Sequence, residues 1–279
     1  MLKRIITAFC AFALMIPVLW FSDTIVLPVA LAFVSVFCLF EMFRCIGMHK
    51  NLAITIPLYI LGALAPVAER LWGLNTTTLS CMFIYFVLYV IYAFAIVVWS
   101  GDNGLFNSIS TTIFISLYII AAVTMICYTR DFSDIGKYAY LLIFIGAWTT
   151  DIFAYFTGVF LGKHKLIEKV SPKKTVEGSI GGIIFCSIAF VLTGLVLDSW
   201  FGCDANIIFL GASGIVVSVI SQIGDLIMSV IKRNFGVKDY GKLFPGHGGM
   251  LDRFDSILAV SLGVAAMCML SSVMGVSLL

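Results

Sequence analysis

The chain has 279 residues, 61% hydrophobic and 11% charged, with a formal net charge of +2 and a mean hydropathy of +1.10. That length would allow one or two soluble domains, but long apolar runs exclude them, and the strict alternation of a membrane β-barrel is absent. So small a net charge gives no reason to expect nucleic acid as a partner; the information lies in where the charges fall.

Nine runs are each about long enough to cross a bilayer core of roughly 30 Å as helix: residues 5–21, 24–40, 52–68, 79–99, 109–128, 138–160, 179–197, 205–231 and 256–276. The expected fold is all-α, a polytopic transmembrane helical bundle of about nine spans. The first run follows "MLKR" and carries no small-x-small cleavage pattern after it, so it reads as a retained helix and not a removed signal. With the N-terminus inside and the spans alternating, 14 of the 17 Lys and Arg fall on the cytoplasmic side, leaving only Arg70, Arg130 and Lys137 outside. The positive-inside rule therefore favours N-in, C-out, and His49, His164 and His247 also fall inside. The eight cysteines are scattered, mostly within spans and with no C-x-x-C pair, and read as small packing residues.

Composition divides the chain. Residues 1–137 are apolar spans with short loops and few ionisable groups, serving as frame or assembly surface. Residues 138–279 form the expected catalytic region, with two long cytoplasmic loops, 162–178 and 232–254, that hold ten of the seventeen basic residues. Two acids lie inside its spans. Asp151 shares a helical face with Tyr155, Gly158 and Gly162, and Asp225 shares one with Gly214, Ser218, Gln222, Ser229 and Lys232. An acid at the bilayer centre costs on the order of 2.5–3.5 kcal/mol, so each is expected to face a cavity or a partner. The Ser and Gln positions serve equally well as interhelical hydrogen-bond glue.

The first loop, "GKHKLIEKVSPKKTVEGSIGG", sets five lysines and a His beside Ser171, Thr175 and a glycine-rich helix start. Ammonium groups, hydroxyls and free helix N–H groups all bind phosphate. A basic patch against anionic lipid headgroups would have the same composition, and the order of a Walker A loop is missing. The second loop pairs Lys232, Arg233, Lys238, Lys242 and Arg253 with Asp225, Asp239, Asp252 and Asp255. A loop that merely obeys the positive-inside rule needs no acids. Both signs together suit a metal-plus-phosphate site, because Mg²⁺ takes one or two carboxylates with water and phosphate oxygens, and cations neutralise the remaining phosphate charge. Gly246, Gly248 and Gly249 let the backbone approach a ligand, and His247 stands among them. Asp252 and Asp255, spaced i, i+3, serve equally well as first-turn partners of a helix N-terminus.

Residues 229–255, "SVIKRNFGVKDYGKLFPGHGGMLDRFD", resemble the signature of the phosphatidate cytidylyltransferases, or CDP-diacylglycerol synthases. That signature runs Ser-x-apolar-Lys-Arg, four residues, Lys-Asp-x-small, two residues, apolar-small-x-His-Gly-Gly-apolar-x-Asp-Arg-apolar-Asp, and every position is met. The upstream "SPKKTVEG" and "DIFAYFTGVFLGKHKL" are also similar to the family. The resemblance implies a bacterial inner-membrane enzyme, dimeric and Mg²⁺-dependent, with its site at the cytoplasmic face. Such an enzyme joins CTP to phosphatidic acid, giving CDP-diacylglycerol and pyrophosphate. It implies metal-binding acids at Asp225 and Asp252; Asp255 is a third candidate, and a second cation is compatible with the set. Lys232, Arg233, Lys238 and Arg253 are the expected phosphate clamps, with Asp239 and His247 as further catalytic candidates. Ser171, Lys173, Lys174, Thr175, Asp151, Tyr155, Gly248 and Gly249 are the expected substrate-binding positions. Two rivals stand beside this: a CTP-dependent kinase of polyprenol or phytol alcohols, and an ion-coupled transporter, which intramembrane acids also suggest but which would show repeats.

Overall fold

The computed structural model describes residues 13–133, 136–203, 205–244, 246 and 248–274. Its apolar runs fold as helices whose ends are set by short polar signals. Residues 13–20 form α1. Helix α2, Val26–Ile46, stops at Gly47, where φ is 86° and a side chain would be strained. Next come α3, Leu52–Trp72, and α4, Thr76–Ser100, which Asn75 caps by accepting the Thr78 amide at 2.9 Å. Helix α5 is Asn103–Asp131, α6 the short Gly136–Ala139, and α7 Leu141–Leu161. An antiparallel hairpin follows, β1, Lys165–Ile167, and β2, Ser171–Thr175, pairing Lys165 with Thr175 and Ile167 with Ser171 across a bulge. The chain ends with α8, Val176–Phe201, α9, Ile207–Asn234, and α10, Leu251–Met274.

Among the described residues, eight segments are long and apolar enough to span a membrane, with α6 and α7 counted as one. The chain is thus an integral membrane protein built on an all-α bundle. These eight segments match the second to ninth predicted runs. The first run, 5–21, lies mostly outside the described residues. Residues 165–175, read from sequence as open loop, contain the hairpin. Helix α9 also runs on through Lys232 and Arg233, because cations at a helix C-terminus satisfy its carbonyl dipole.

The contacts divide the described chain into two compact units. The first comprises the residues up to Tyr128 together with 237–253; the second comprises Thr129–Gly236 and the residues from Phe254 onward. Within the first unit, α2 and α3 approach at Gly62, where an added Cβ would lie 2.7 Å from Leu39 and 2.8 Å from Ser35 Oγ. Tyr85 and Tyr89 of α4 donate their hydroxyls to the Pro57 and Ile54 carbonyls of α3 at 2.9 and 3.1 Å. Polar hydroxyls inside an apolar bundle need such partners.

The second unit is knit by small residues and hydroxyls. Gly158 and Gly162 of the α7 end face Thr175 and Gly178. Gly181 faces Thr157, whose hydroxyl donates to the Phe153 carbonyl at 2.6 Å. Thr150 of α7 donates to Ser218 of α9 at 3.0 Å, Ser187 of α8 to the Gly211 carbonyl at 2.8 Å, and Gln222 to the Ser179 carbonyl at 3.2 Å. Ser218 and Gln222 of the α9 stripe are therefore interhelical glue. A Cβ at Gly181 would overlap three side-chain atoms of Thr157. Gly181→Ala is expected to lower stability by about 1–3 kcal/mol through overpacking, outweighing the helix propensity gained, about 1 kcal/mol. The check is a drop of several degrees in the apparent thermal midpoint of the detergent-solubilised protein.

Candidate active site

In the second unit, charged side chains gather at the end of α9. Asp225 sits two turns before Lys232 on that helix, and the Lys174 ammonium, from β2, lies 2.5 Å from Asp225 Oδ2. Ser229, one turn further along α9, donates to Asp225 Oδ1 at 3.4 Å. Asp255 of α10 is within electrostatic reach of Asp225, Asp151 and Lys232. Ser256, beside it, donates to Asp151 Oδ2 at 3.2 Å. Three acids from α7, α9 and α10 thus share one neighbourhood with Lys174 and Lys232. These acids repel one another, and a cation relieves such repulsion.

The hairpin that delivers Lys174 is fastened at its base. The Val176 amide donates to the His164 carbonyl at 2.9 Å. Glu177, in the first turn of α8, accepts the Lys163 and His164 amides at 3.1 and 3.2 Å and pairs with His164 Nδ1 at 2.7 Å. Thr175 accepts the Gly178 amide at 3.1 Å and so caps α8. An acid in the first turn and a hydroxyl at the cap are the sequence features that start this helix. Thr175 is buried and Ser171 half-buried, whereas Lys173 is exposed. Tyr155 is 66% exposed and packs edge-on against Phe156.

In the first unit, the loop preceding α10 is built around Asp252. Its Oδ2 accepts the Tyr240 amide at 2.8 Å and the Gly249 amide at 3.0 Å, pinning the two arms of the loop together. Phe244 donates its amide to the Gly248 carbonyl at 2.9 Å, closing a tight turn. Gly248 has φ +89°, and an added Cβ would sit 2.9 Å from Asp252 Oδ2, so the turn needs glycine on both counts. A second carboxylate, unforeseen from the sequence, stands opposite. Glu41 of α2 accepts the Met250 amide at 3.0 Å and the Leu251 amide at 2.8 Å. Arg44 Nη2 donates to the Tyr240 carbonyl at 3.0 Å. Lys238, Asp239 and Arg253 are exposed in this unit, as is Arg233 in the other. His247 lies outside the described residues.

Among the described residues, no three of His, Cys, Asp and Glu converge to form a protein-only metal cage. Mg²⁺ rarely uses one. It takes one or two carboxylates and fills its octahedron with water and phosphate oxygens. Asp225 and Asp255, hard oxygen donors within electrostatic reach of each other, fit that smaller set.

A helical bundle that gathers three carboxylates and two lysines in one unit offers the charges that phosphate-group chemistry at a membrane calls for. The sequence profile of the cytidylyltransferase family matches residues 2–271. The chain belongs to that family. It is 32% identical over 262 residues to the phosphatidate cytidylyltransferase of Staphylococcus haemolyticus (strain JCSC1435), covering 92% of this chain and 95% of that one. Against the phosphatidate cytidylyltransferase of Staphylococcus epidermidis (strain ATCC 35984), identity is 49% over 120 residues, 43% of this chain and 45% of that one. The enzyme of the same name from Staphylococcus aureus (strain COL) is 45% identical over 125 residues, 45% of this chain and 46% of the other.

Proposed function

We infer that this chain transfers the cytidylyl group of CTP to phosphatidic acid, giving CDP-diacylglycerol and pyrophosphate. The observation that carries the reading is the Lys174–Asp225 ion pair, with Asp151 and Asp255 within electrostatic reach of that carboxylate cluster, in a chain of this family. The lipid phosphomonoester is largely dianionic near neutral pH, so its oxygen is already a nucleophile. It forms the new bond to the α-phosphorus of CTP, and the bond from that phosphorus to the pyrophosphate oxygen breaks, its electron pair leaving with pyrophosphate. No protein nucleophile and no strong general base are required. Positioning and electrostatics supply the acceleration.

Lys232, Arg233, Lys238 and Arg253 bind and align the phosphates of both substrates in this reading, with Lys173 and Lys174 contributing from the hairpin and Ser171 offering a hydroxyl. Asp151 would orient one of the hairpin lysines or a metal-bound water. Asp239, His247, Gly248 and Gly249 border the phosphates, while Tyr155 lines the lipid side. Asp225, Asp252 and Asp255 are the carboxylates we propose for Mg²⁺, as one ion or two. When bound, it would draw charge from the phosphate oxygens and stabilise the departing pyrophosphate.

The acyl chains stay in the bilayer while CTP arrives from water. With the N-terminus inside, the two polar segments face the cytoplasm, in the bacterial inner membrane. A homodimer is the proposed assembly, and residues 1–137 frame or assemble the catalytic region 138–279. The test supplies purified protein with phosphatidic acid and Mg²⁺ and with CTP labelled at the α-phosphorus. Label is expected in the lipid, with one pyrophosphate released per lipid formed. Lipid labelled only from the γ-phosphorus would instead identify a lipid kinase, and solute uptake into vesicles without lipid chemistry a transporter.

A further inference from the structure

Glu41 is 3% exposed within an apolar helix, where a carboxylate is costly unless donors meet it. Donors meet both of its oxygens. The Met250 and Leu251 amides that open α10 donate to Oε1 and Oε2, and a helix N-terminus favours an anion through its free N–H groups and dipole. The partners are 209 and 210 residues away in sequence, so the contact ties a remote span to the signature loop. Gly241 and Gly249 confirm how tightly the carboxyl group is seated, since an added Cβ at either would collide with it. Arg44, on the same helix, grips the other arm of the loop at the Tyr240 carbonyl. From inside the loop, Asp252 binds the amides of Tyr240 and Gly249.

The geometry points to Glu41 as a positioning residue for cytidylyl transfer. It acts through the backbone at 249–251 to hold Asp252 and Arg253 in register with the phosphates. The inference rests on the reaction proposed above. A brace of this kind governs alignment more than affinity, and misplacement by about 1 Å is enough to cost up to a hundredfold in rate. Gln at position 41 keeps the volume but loses the charge, and its amide nitrogen meets a backbone N–H where an acceptor is needed.

The test compares the purified full-length wild type with Glu41→Gln, Gly249→Ala and the double variant. Turnover is measured against CTP and phosphatidic acid, and hydrogen exchange is followed without substrate. Glu41→Gln is expected to lower kcat about tenfold, with KM for CTP changing less than about threefold. Exchange in the 240–252 peptide should quicken at least about tenfold, while peptides from α7 to α9 stay as in the wild type. Gly249→Ala should reproduce both effects, and the double variant should be little worse than either single one, because both break the same brace. Faster exchange with unchanged kcat, lower kcat with unchanged exchange, or additive losses would each overturn the proposal. A wild type that makes no CDP-lipid would overturn the underlying reaction instead, and the substrate-free exchange contrast tells that failure apart.

Discussion

Asp225→Asn is expected to lose at least about a thousandfold in kcat/KM while the protein stays folded in detergent. The substitution changes almost no volume and leaves α9 intact, and the Asn carbonyl still accepts from Ser229, the present partner at 3.4 Å. What disappears is the negative charge that meets the Lys174 ammonium at 2.5 Å and, on the reading above, a cation beside the CTP phosphates. Folding should suffer little, because both members of the pair are about a quarter exposed and the Lys174 ammonium left behind can turn to water. Steady-state kinetics together with the apparent thermal midpoint give the answer. Near-normal transfer by a well-folded Asp225→Asn protein would remove Asp225 from the chemistry.

Asp252 should separate two roles when changed in two ways. Asp252→Ala removes the acceptor for both the Tyr240 and the Gly249 amides. Each buried N–H left unsatisfied costs about 1–3 kcal/mol, so the loop should open, the thermal midpoint should fall, and transfer should drop below detection. Asp252→Asn keeps one oxygen that can still receive the two amides, so the midpoint should recover most of its value. If the charge itself serves the phosphates, transfer stays at least about a hundredfold down in the Asn variant. Recovery of activity along with stability would reduce Asp252 to a loop fastener. The pair of variants therefore reads structure and chemistry separately.

Much of this was legible in the sequence, and the rest had physical reasons to stay hidden. Hydropathy located the segments that became α2 to α10, since a helix must bury its own backbone polarity to cross lipid. The stripe of residues on α9 was also legible, because a period of three or four survives in sequence. The cost of an intramembrane acid singled out Asp151 and Asp225, and both sit in the charged cluster of the second unit. The same argument would have found Glu41, but the second run was drawn to end at residue 40, and α2 continues to Ile46. The helix outlasts the apolar run because Glu41 is buried on donors from another span, a compensation no local window can register. The hairpin at 165–175 was missed because its strands are only three and five residues long and carry no apolar alternation. Glycines 248 and 249 illustrate a further limit. Sequence reads them as making room for a ligand, and in the structure they also make room for the protein's own carboxylates.

The fastening of the hairpin base has a mechanical consequence. With residues 163, 164, 175 and 176 stitched to the first turn of α8, the second strand moves as part of that helix and not as an independent flap. Releasing Asp225 therefore needs no swinging of the backbone. The ammonium of Lys174 can trade one anion for another by torsions of its own aliphatic tether, a matter of picoseconds to nanoseconds for a partly exposed side chain. On the reading proposed above, a handover from carboxylate to incoming phosphate would be far faster than any loop rearrangement and would set no upper bound on the turnover rate.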